Sequence, residues 1–190
     1  EEHFDLTASS RWHRTTSNGT VTFNDGTVYL CITSTDRIPC IERNEHIFVI
    51  NNRVYMEARW KIAGYGSVYH KAVQLHVEDV NNANQICMSY GQDTYVDGLL
   101  GLQLEVQGWL PYPSPHTRTG SLVTDTYVVC KSWYDGSIGL RQVQFNDGPI
   151  VSQTNDSWKR DLNECKVYID VFGWWTTHDA TIDYIKITTW

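Results

Sequence analysis

Arg59, Gln74, His76, Gln103 and Glu105 are the side chains best placed to do chemistry. Each falls at a polar step of an alternating stretch. In Arg53–Ile62 the apolar steps are Val54, Met56, Ala58, Trp60 and Ile62; in Lys71–Asp79 they are Val73, Leu75 and Val77; in Leu99–Gln107 they are Leu102, Leu104 and Val106. A period of two marks half-buried strands, so all five polar residues could lie on the wet side of one sheet. The plainer reading, a solvated face of ordinary polar residues, ranks above catalysis. Seven histidines show no metal-ligand spacing such as His-x-x-x-His. Asp93, Asp97, Asp179 and Asp183 could contribute to a Ca²⁺ site, but acidic turn residues are more often turn formers. No other cofactor is implied.

Binding is the alternative to chemistry. Eight Trp and eleven Tyr are many for 190 residues. Trp109, Tyr112, Trp133, Tyr134, Trp174 and Trp175 fall in or beside expected loops, where rings can stack on sugar faces with their polar tips in water. Trp60 and Trp12 read as packing. The segment Glu1–Ser10 is a candidate for an extended arm, with Phe4 and Leu6 as alternating anchors for a neighbouring sheet edge, or for an ordinary edge strand of its own sandwich. Open head-to-tail contacts of that kind build filaments. The partners expected are therefore copies of the same chain, glycans, or both.

The elements that would position these residues are strands. Phe23-Asn24-Asp25-Gly26 recurs as Phe145-Asn146-Asp147-Gly148, and Asp-Gly suits a type I′ hairpin turn. Strands are expected at 20–23, 27–33, 46–50, 53–62, 71–79, 85–90, 99–107, 124–133, 137–145, 149–154, 165–172 and 179–189. One face buried and one solvated is what an antiparallel two-sheet sandwich requires. Trp109–Gly120 holds Pro111, Pro113 and Pro115 and reads as a long surface loop. Asp156–Glu164 allows one short helical turn, with Asp156 as cap.

With 41% hydrophobic residues, residues 1–190 read as one domain with a core of its own. The formal net charge of −7 argues against a nucleic-acid partner. No apolar run approaches the ~20 residues of a membrane helix. The chain opens at Glu1 without an initiator Met, as a processed chain would. Two sequons, Asn18-Gly19-Thr20 and Asn155-Asp156-Ser157, fall in expected turns. Among five cysteines, Cys31 and Cys40 bracket a Ser/Thr/Pro-bearing loop that a bridge would staple. Cys130 and Cys165 could pair between two late strands, leaving Cys87 odd; free buried thiols are the alternative. Sequons and bridges together favour an extracellular or cell-surface setting.

Several segments resemble the concanavalin A-like jelly roll, the superfamily of laminin-G-like modules, legume-type lectins and family 16 glycoside hydrolases. Val28-Tyr29-Leu30 resembles its early strand, and Val54 through Ile62 its long following strand. Tyr127 through Val151 resembles its hairpin with a central Asp-Gly, and Thr181 through Ile187 its closing strand. The resemblance implies an all-β fold, and it does not transfer an activity. A family 16 hydrolase would carry an acid–x–acid–x–x–acid run with carboxylates about 5 Å apart. That run is missing; Glu57 and Glu105 are single carboxylates on different strands. Glu57-Ala58-Arg59 and Gln74-Leu75-His76 look like parts of the jelly-roll alginate-lyase pattern, which would make Arg59, Gln74, His76 and a tyrosine, Tyr168, its catalytic group. The leading expectation is a non-catalytic, self-assembling extracellular module. A lectin-like carbohydrate-binding module follows, and a polysaccharide lyase comes third.

Overall fold

The computed structural model describes residues 2–3, 10–14, 19–32, 40–63, 71–93, 99–107, 117–173 and 178–190. Its strands in chain order are β1 (Glu2–His3), β2 (Trp12–Arg14), β3 (Thr20–Asn24), β4 (Thr27–Ile32), β5 (Cys40–Arg43), β6 (Ile47–Phe48), β7 (Arg53–Ile62) and β8 (Lys71–Asp79). They continue as β9 (Gln85–Asp93), β10 (Leu99–Gln107), β11 (Thr117–Thr119), β12 (Val128–Asp135), β13 (Leu140–Phe145), β14 (Val151–Thr154), β15 (Glu164–Gly173) and β16 (His178–Thr189). The first sheet runs β14-β13-β12-β7-β16-β4-β3, with β1 also on β16. The second runs β11-β10-β9-β8-β15-β5-β2, with β6 also on β15. Every pairing is antiparallel.

Alternation drives the two layers together. Val54, Met56, Ala58, Trp60 and Ile62 of β7 are at most 1% exposed, while Tyr55, Glu57, Arg59 and Lys61 keep contact with water. Facing them, β8, β9, β10 and β15 turn in Val73, Leu75, Met88, Leu104, Val167 and Ile169. Each such side chain removed from water contributes about 1.5–3 kcal/mol. Two of the polar tips inside have clear partners. The Trp60 indole donates to Cys130 Sγ at 3.2 Å, and the Tyr134 hydroxyl donates to the Trp158 carbonyl at 2.8 Å. The interior also holds a cation. Arg141 is fully buried, its guanidinium carbon 3.2 Å from the centre of the Trp158 ring, and Nη1 donates to the Leu104 carbonyl across the sandwich at 3.3 Å. Burial pushes its pKa down to about 9, so it stays charged at neutral pH.

The long closing strand β16 changes phase midway. Its register against β7 shifts between Ile182 and Tyr184. Ala180 and Ile182 point inward before this β-bulge, and Ile185 after it. The extra residue, Asp183, is released to the outer face, where it pairs with Arg59.

The strand expectations hold for most elements and need correction at several. β2, β5 and β11 were not expected, and β11 falls within the stretch read as a loop. The chain also runs straight through Tyr134 and Asp135, because Tyr134 is a core residue; the turn comes at 136–139, where Gly139 has φ +64°. The two Phe-Asn-Asp-Gly copies do not form matching type I′ turns. In the first, Gly26 alone takes positive φ (+75°). In the second it is Asn146 (+49°), whose backbone N–H donates to the Val129 carbonyl at 2.7 Å and whose Oδ1 accepts from Val129 N–H at 2.8 Å. Asn155, not Asp156, caps the 3₁₀ turn Asp156–Trp158, its side chain accepting from Ser157 N–H at 2.8 Å.

The expected cysteine pairing also changes. Among the described residues no disulfide joins Cys31, Cys40, Cys87, Cys130 or Cys165, so neither expected bridge is seen. Cys130 lies in the first sheet with its sulfur accepting from Trp60, whereas Cys165 begins β15 in the second. Cys31 sits on β4 and Cys40 on β5, again in different sheets. Of the segment expected as an extended arm or an edge strand, Glu2 lies opposite Ile185 and His3 opposite Tyr184 of the same chain. Phe4 and Leu6 lie outside the described residues.

Candidate functional site

The outer face of the second sheet gathers most of the polar residues singled out above. Strand register lines them up in two rows. One row crosses Glu105, Cys87, His76, Tyr168, Glu42 and His13. The next crosses Arg118, Gln103, Ser89, Gln74 and Asp170. Their positions follow from the residues between them. Leu75 and Val77 turn inward, so Gln74, His76 and Glu78 turn outward; Val167, Ile169 and Val171 do the same for Tyr168 and Asp170.

His76 is the centre of the face. Its ring stacks on Tyr168 with centroids 4.2 Å apart and planes 8° from parallel. Nε2 lies 3.4 Å from Asp170 Oδ2 and 3.8 Å from Cys87 Sγ. Around this core the polar atoms are paired. The Tyr168 hydroxyl is 3.0 Å from both Glu78 Oε2 and Gln85 Oε1, Lys166 Nζ is 3.1 Å from Glu78, and Gln103 Nε2 donates to Glu105 Oε1 at 2.8 Å. Gln74 Nε2 donates to Ser89 Oγ at 3.3 Å. Two atoms stand apart: His76 Nδ1 and Asp170 Oδ1 are buried without a hydrogen-bond partner, on residues only 6% and 8% exposed. Burial, with Glu78 and Asp170 beside it, raises the Tyr168 hydroxyl far above its ordinary pKa, so it remains a neutral phenol. Burial likewise pushes the Cys87 thiol up, which leaves it a poor nucleophile.

The lyase group does not assemble. Gln74, His76 and Tyr168 share this face, but Arg59 projects from the other sheet, where it pairs with Asp183 and lies 4.7 Å from the centre of the Tyr127 ring. Among its described residues the face carries Glu42, Glu78, Glu105 and Asp170 against Lys166 and Arg118, an excess of negative charge that would repel a uronate. Of the aromatic candidates, Trp133 reaches the outer face of the first sheet, while Tyr134 is 1% exposed and belongs to the core. Trp109, Tyr112, Trp174, Trp175 and Asn18 lie outside the described residues. Asn155 is exposed on its turn. Two calcium candidates are spent elsewhere, since Asp179 accepts from the Tyr29 hydroxyl at 2.9 Å and Asp183 pairs with Arg59. Among the described residues no group of three or more His, Cys, Asp or Glu could hold a metal ion. Asp170, Cys87 and Ser89 were missed, although the alternation of β15 and β9 marks each as outward-facing.

A two-sheet antiparallel sandwich of this connectivity is the concanavalin A-like jelly roll. Solved structures share it at low identity. The carbohydrate recognition domain of Emp47p superposes with TM-score 0.69 at 12% identity, over 98% of this chain and 94% of that one. The exoplasmic/lumenal domain of VIP36, in a Ca²⁺- and mannose-bound form, gives 0.69 at 13%, over 100% and 88%. The Lotus tetragonolobus seed lectin gives 0.64 at 9%, over 98% and 96%. No protein-family model and no curated protein matches the sequence. Among the described residues, no helix is long and apolar enough to cross a membrane.

Proposed function

We propose that this chain is a lectin-like carbohydrate-binding module, and that the outer face of its second sheet receives neutral glycan. One observation carries the reading: two unpaired hydrogen-bonding atoms, His76 Nδ1 and Asp170 Oδ1, beside a stacked pair of rings. A buried polar atom without a partner is costly, of order 1–3 kcal/mol, and calls for a group that completes it. Sugar hydroxyls both donate and accept, so one can donate to Asp170 and its neighbour can meet His76. The acidic balance of the face favours uncharged sugars over uronates. The lectin domains that share the fold support the same class of ligand, and the exoplasmic/lumenal one among them supports a setting outside the cytoplasm, where exposed Asn155 would be open to glycosylation.

Isothermal titration against a panel of neutral oligosaccharides, in calcium and again in EDTA, tests the proposal. Binding is expected, with Asp170→Asn and His76→Ala each weakening it about tenfold or more, the effect of one lost hydrogen bond to a charged or buried group. Either full-strength binding by both variants or no binding of any glycan rejects the assignment.

A further inference from the structure

The opposite side of the molecule carries an aromatic surface that the proposal above does not use. Trp133 on β12 and Tyr55 on β7 are direct cross-strand partners, with ring centroids 5.1 Å apart and planes tilted by 40°. Both face outward and are half-buried, in contrast to Trp60, Tyr90 and Tyr134, which the same strand system packs inside. Their row is completed by Gln142 on β13 and Thr188 on β16. At about 4.8 Å between strands, four strands span ~14 Å, the length of a short oligosaccharide.

The next row is prepared for hydroxyl groups. It crosses Lys131, Glu57 and Lys186. Glu57 accepts from the Tyr55 hydroxyl through Oε2 and from the Tyr184 hydroxyl through Oε1, the latter at 2.7 Å. Burial raises its pKa, but the two phenols and the two lysines outweigh that and hold the carboxyl below its usual value. The carboxylate is therefore fixed and ionised before any ligand arrives, which lowers the ordering cost of binding. Rings with a carboxylate acceptor and ammonium donors along one side complement a pyranose, which has an apolar ring face and a polar rim. A protein partner would want an apolar centre; the centre of this row is instead a tilted ring pair beside a carboxylate, and of the exposed large apolar side chains among the described residues Ile138 and Ile150 lie in turns, while Phe48 on β6 and Trp190 lie near the end of β16.

We propose that the outer face of the first sheet is a second sugar-binding surface, taking neutral pyranose chains on the Trp133–Tyr55 platform. It stands on observations separate from those of the His76 face. If both faces bind, the module bridges two glycan chains.

Affinity electrophoresis in gels containing galactomannan, xyloglucan or mixed-linkage β-glucan reads this surface, with titration of the matching oligosaccharides for affinity. Wild-type protein is expected to be retarded by at least one. Trp133→Ala should weaken that binding about tenfold or more. Thr188→Arg, at an exposed position beside Tyr55, should block the platform to a similar degree while leaving rings and core in place. It decides the matter if Trp133→Ala misfolds by near-ultraviolet circular dichroism. Asp170→Asn should retain binding to this platform. Unchanged retardation of Thr188→Arg overturns the assignment, as does failure of all the neutral polysaccharides to retard the wild type.

Discussion

Gly26 and Gly139 make a controlled pair. Both are turn glycines of the first sheet with nearly equal backbone angles, φ +75° and +64°. An alanine at either must occupy the left-handed region, at about 1–2 kcal/mol. The narrower unfolded ensemble of alanine returns about 0.4–1 kcal/mol. Gly26→Ala should therefore cost ~1 kcal/mol and no more, because a Cβ there meets nothing within 4 Å. At Gly139 the Cβ would lie 2.0 Å from the Asn155 carbonyl oxygen. That oxygen is backbone, and the Asn155 N–H already donates to the Gly139 carbonyl at 3.1 Å, so the two segments cannot simply slide apart. Overpacking of this kind adds about 1–3 kcal/mol, for a total of ~2–4 kcal/mol. In a domain of this size the melting temperature should fall by about 2–4 °C for Gly26→Ala and by roughly 5–15 °C for Gly139→Ala. Asn155 caps the turn that carries Trp158, and Trp158 covers Arg141, so only the second variant should also alter near-ultraviolet circular dichroism. Equal destabilisation by the two alanines would refute the reasoning, since backbone angle alone would then explain both.

Thiol chemistry and acid titration test other parts of the structure. In native protein one of the five thiols should react readily with a disulfide reagent, the half-buried Cys31, and all five should react in denaturant; fewer than five after unfolding would mean that bridges exist. Asp135 accepts from Arg53 Nε at 2.7 Å and from Ser137 N–H at 3.0 Å. Burial raises its pKa, but Ser137 and Arg53 outweigh that and hold it below the ordinary 3.8. Its contribution is thus complete above about pH 4 and is lost as the pH falls through the lower folded value. Asp135→Asn should lower stability at neutral pH by about 1–2 kcal/mol and flatten the acid limb of a stability–pH curve; an acid limb as steep as wild type would contradict this.

Periodicity made the layers legible before any coordinates. The inward residues of β7, β8 and β10 are those that alternation names, because a two-residue repeat with one oily face leaves only one way to bury it. The same rule cannot say to which sheet a strand belongs. Arg59 and Gln74 lie on consecutive strands and both point outward, yet the chain changes layer between Ile62 and Lys71, which separates them by the thickness of the sandwich. The cysteine pairs failed for the same reason. Turn geometry was illegible for another: identical Phe-Asn-Asp-Gly peptides close differently because Asn146 has a neighbouring strand to bond with. Asp170 and Cys87 were readable as outward steps, but nothing local marks them as neighbours of His76; strand register alone brings them there.

Strand β16 lies between β7 and β4 in the middle of its sheet, although it is synthesised after the other fifteen strands described. Until it emerges from the ribosome, β7 and β4 each lack a partner along one edge, and the layer exists only as two unjoined parts. Closure of the first sheet therefore waits for β16; nascent chains arrested before His178 should remain more protease-sensitive than chains that include it.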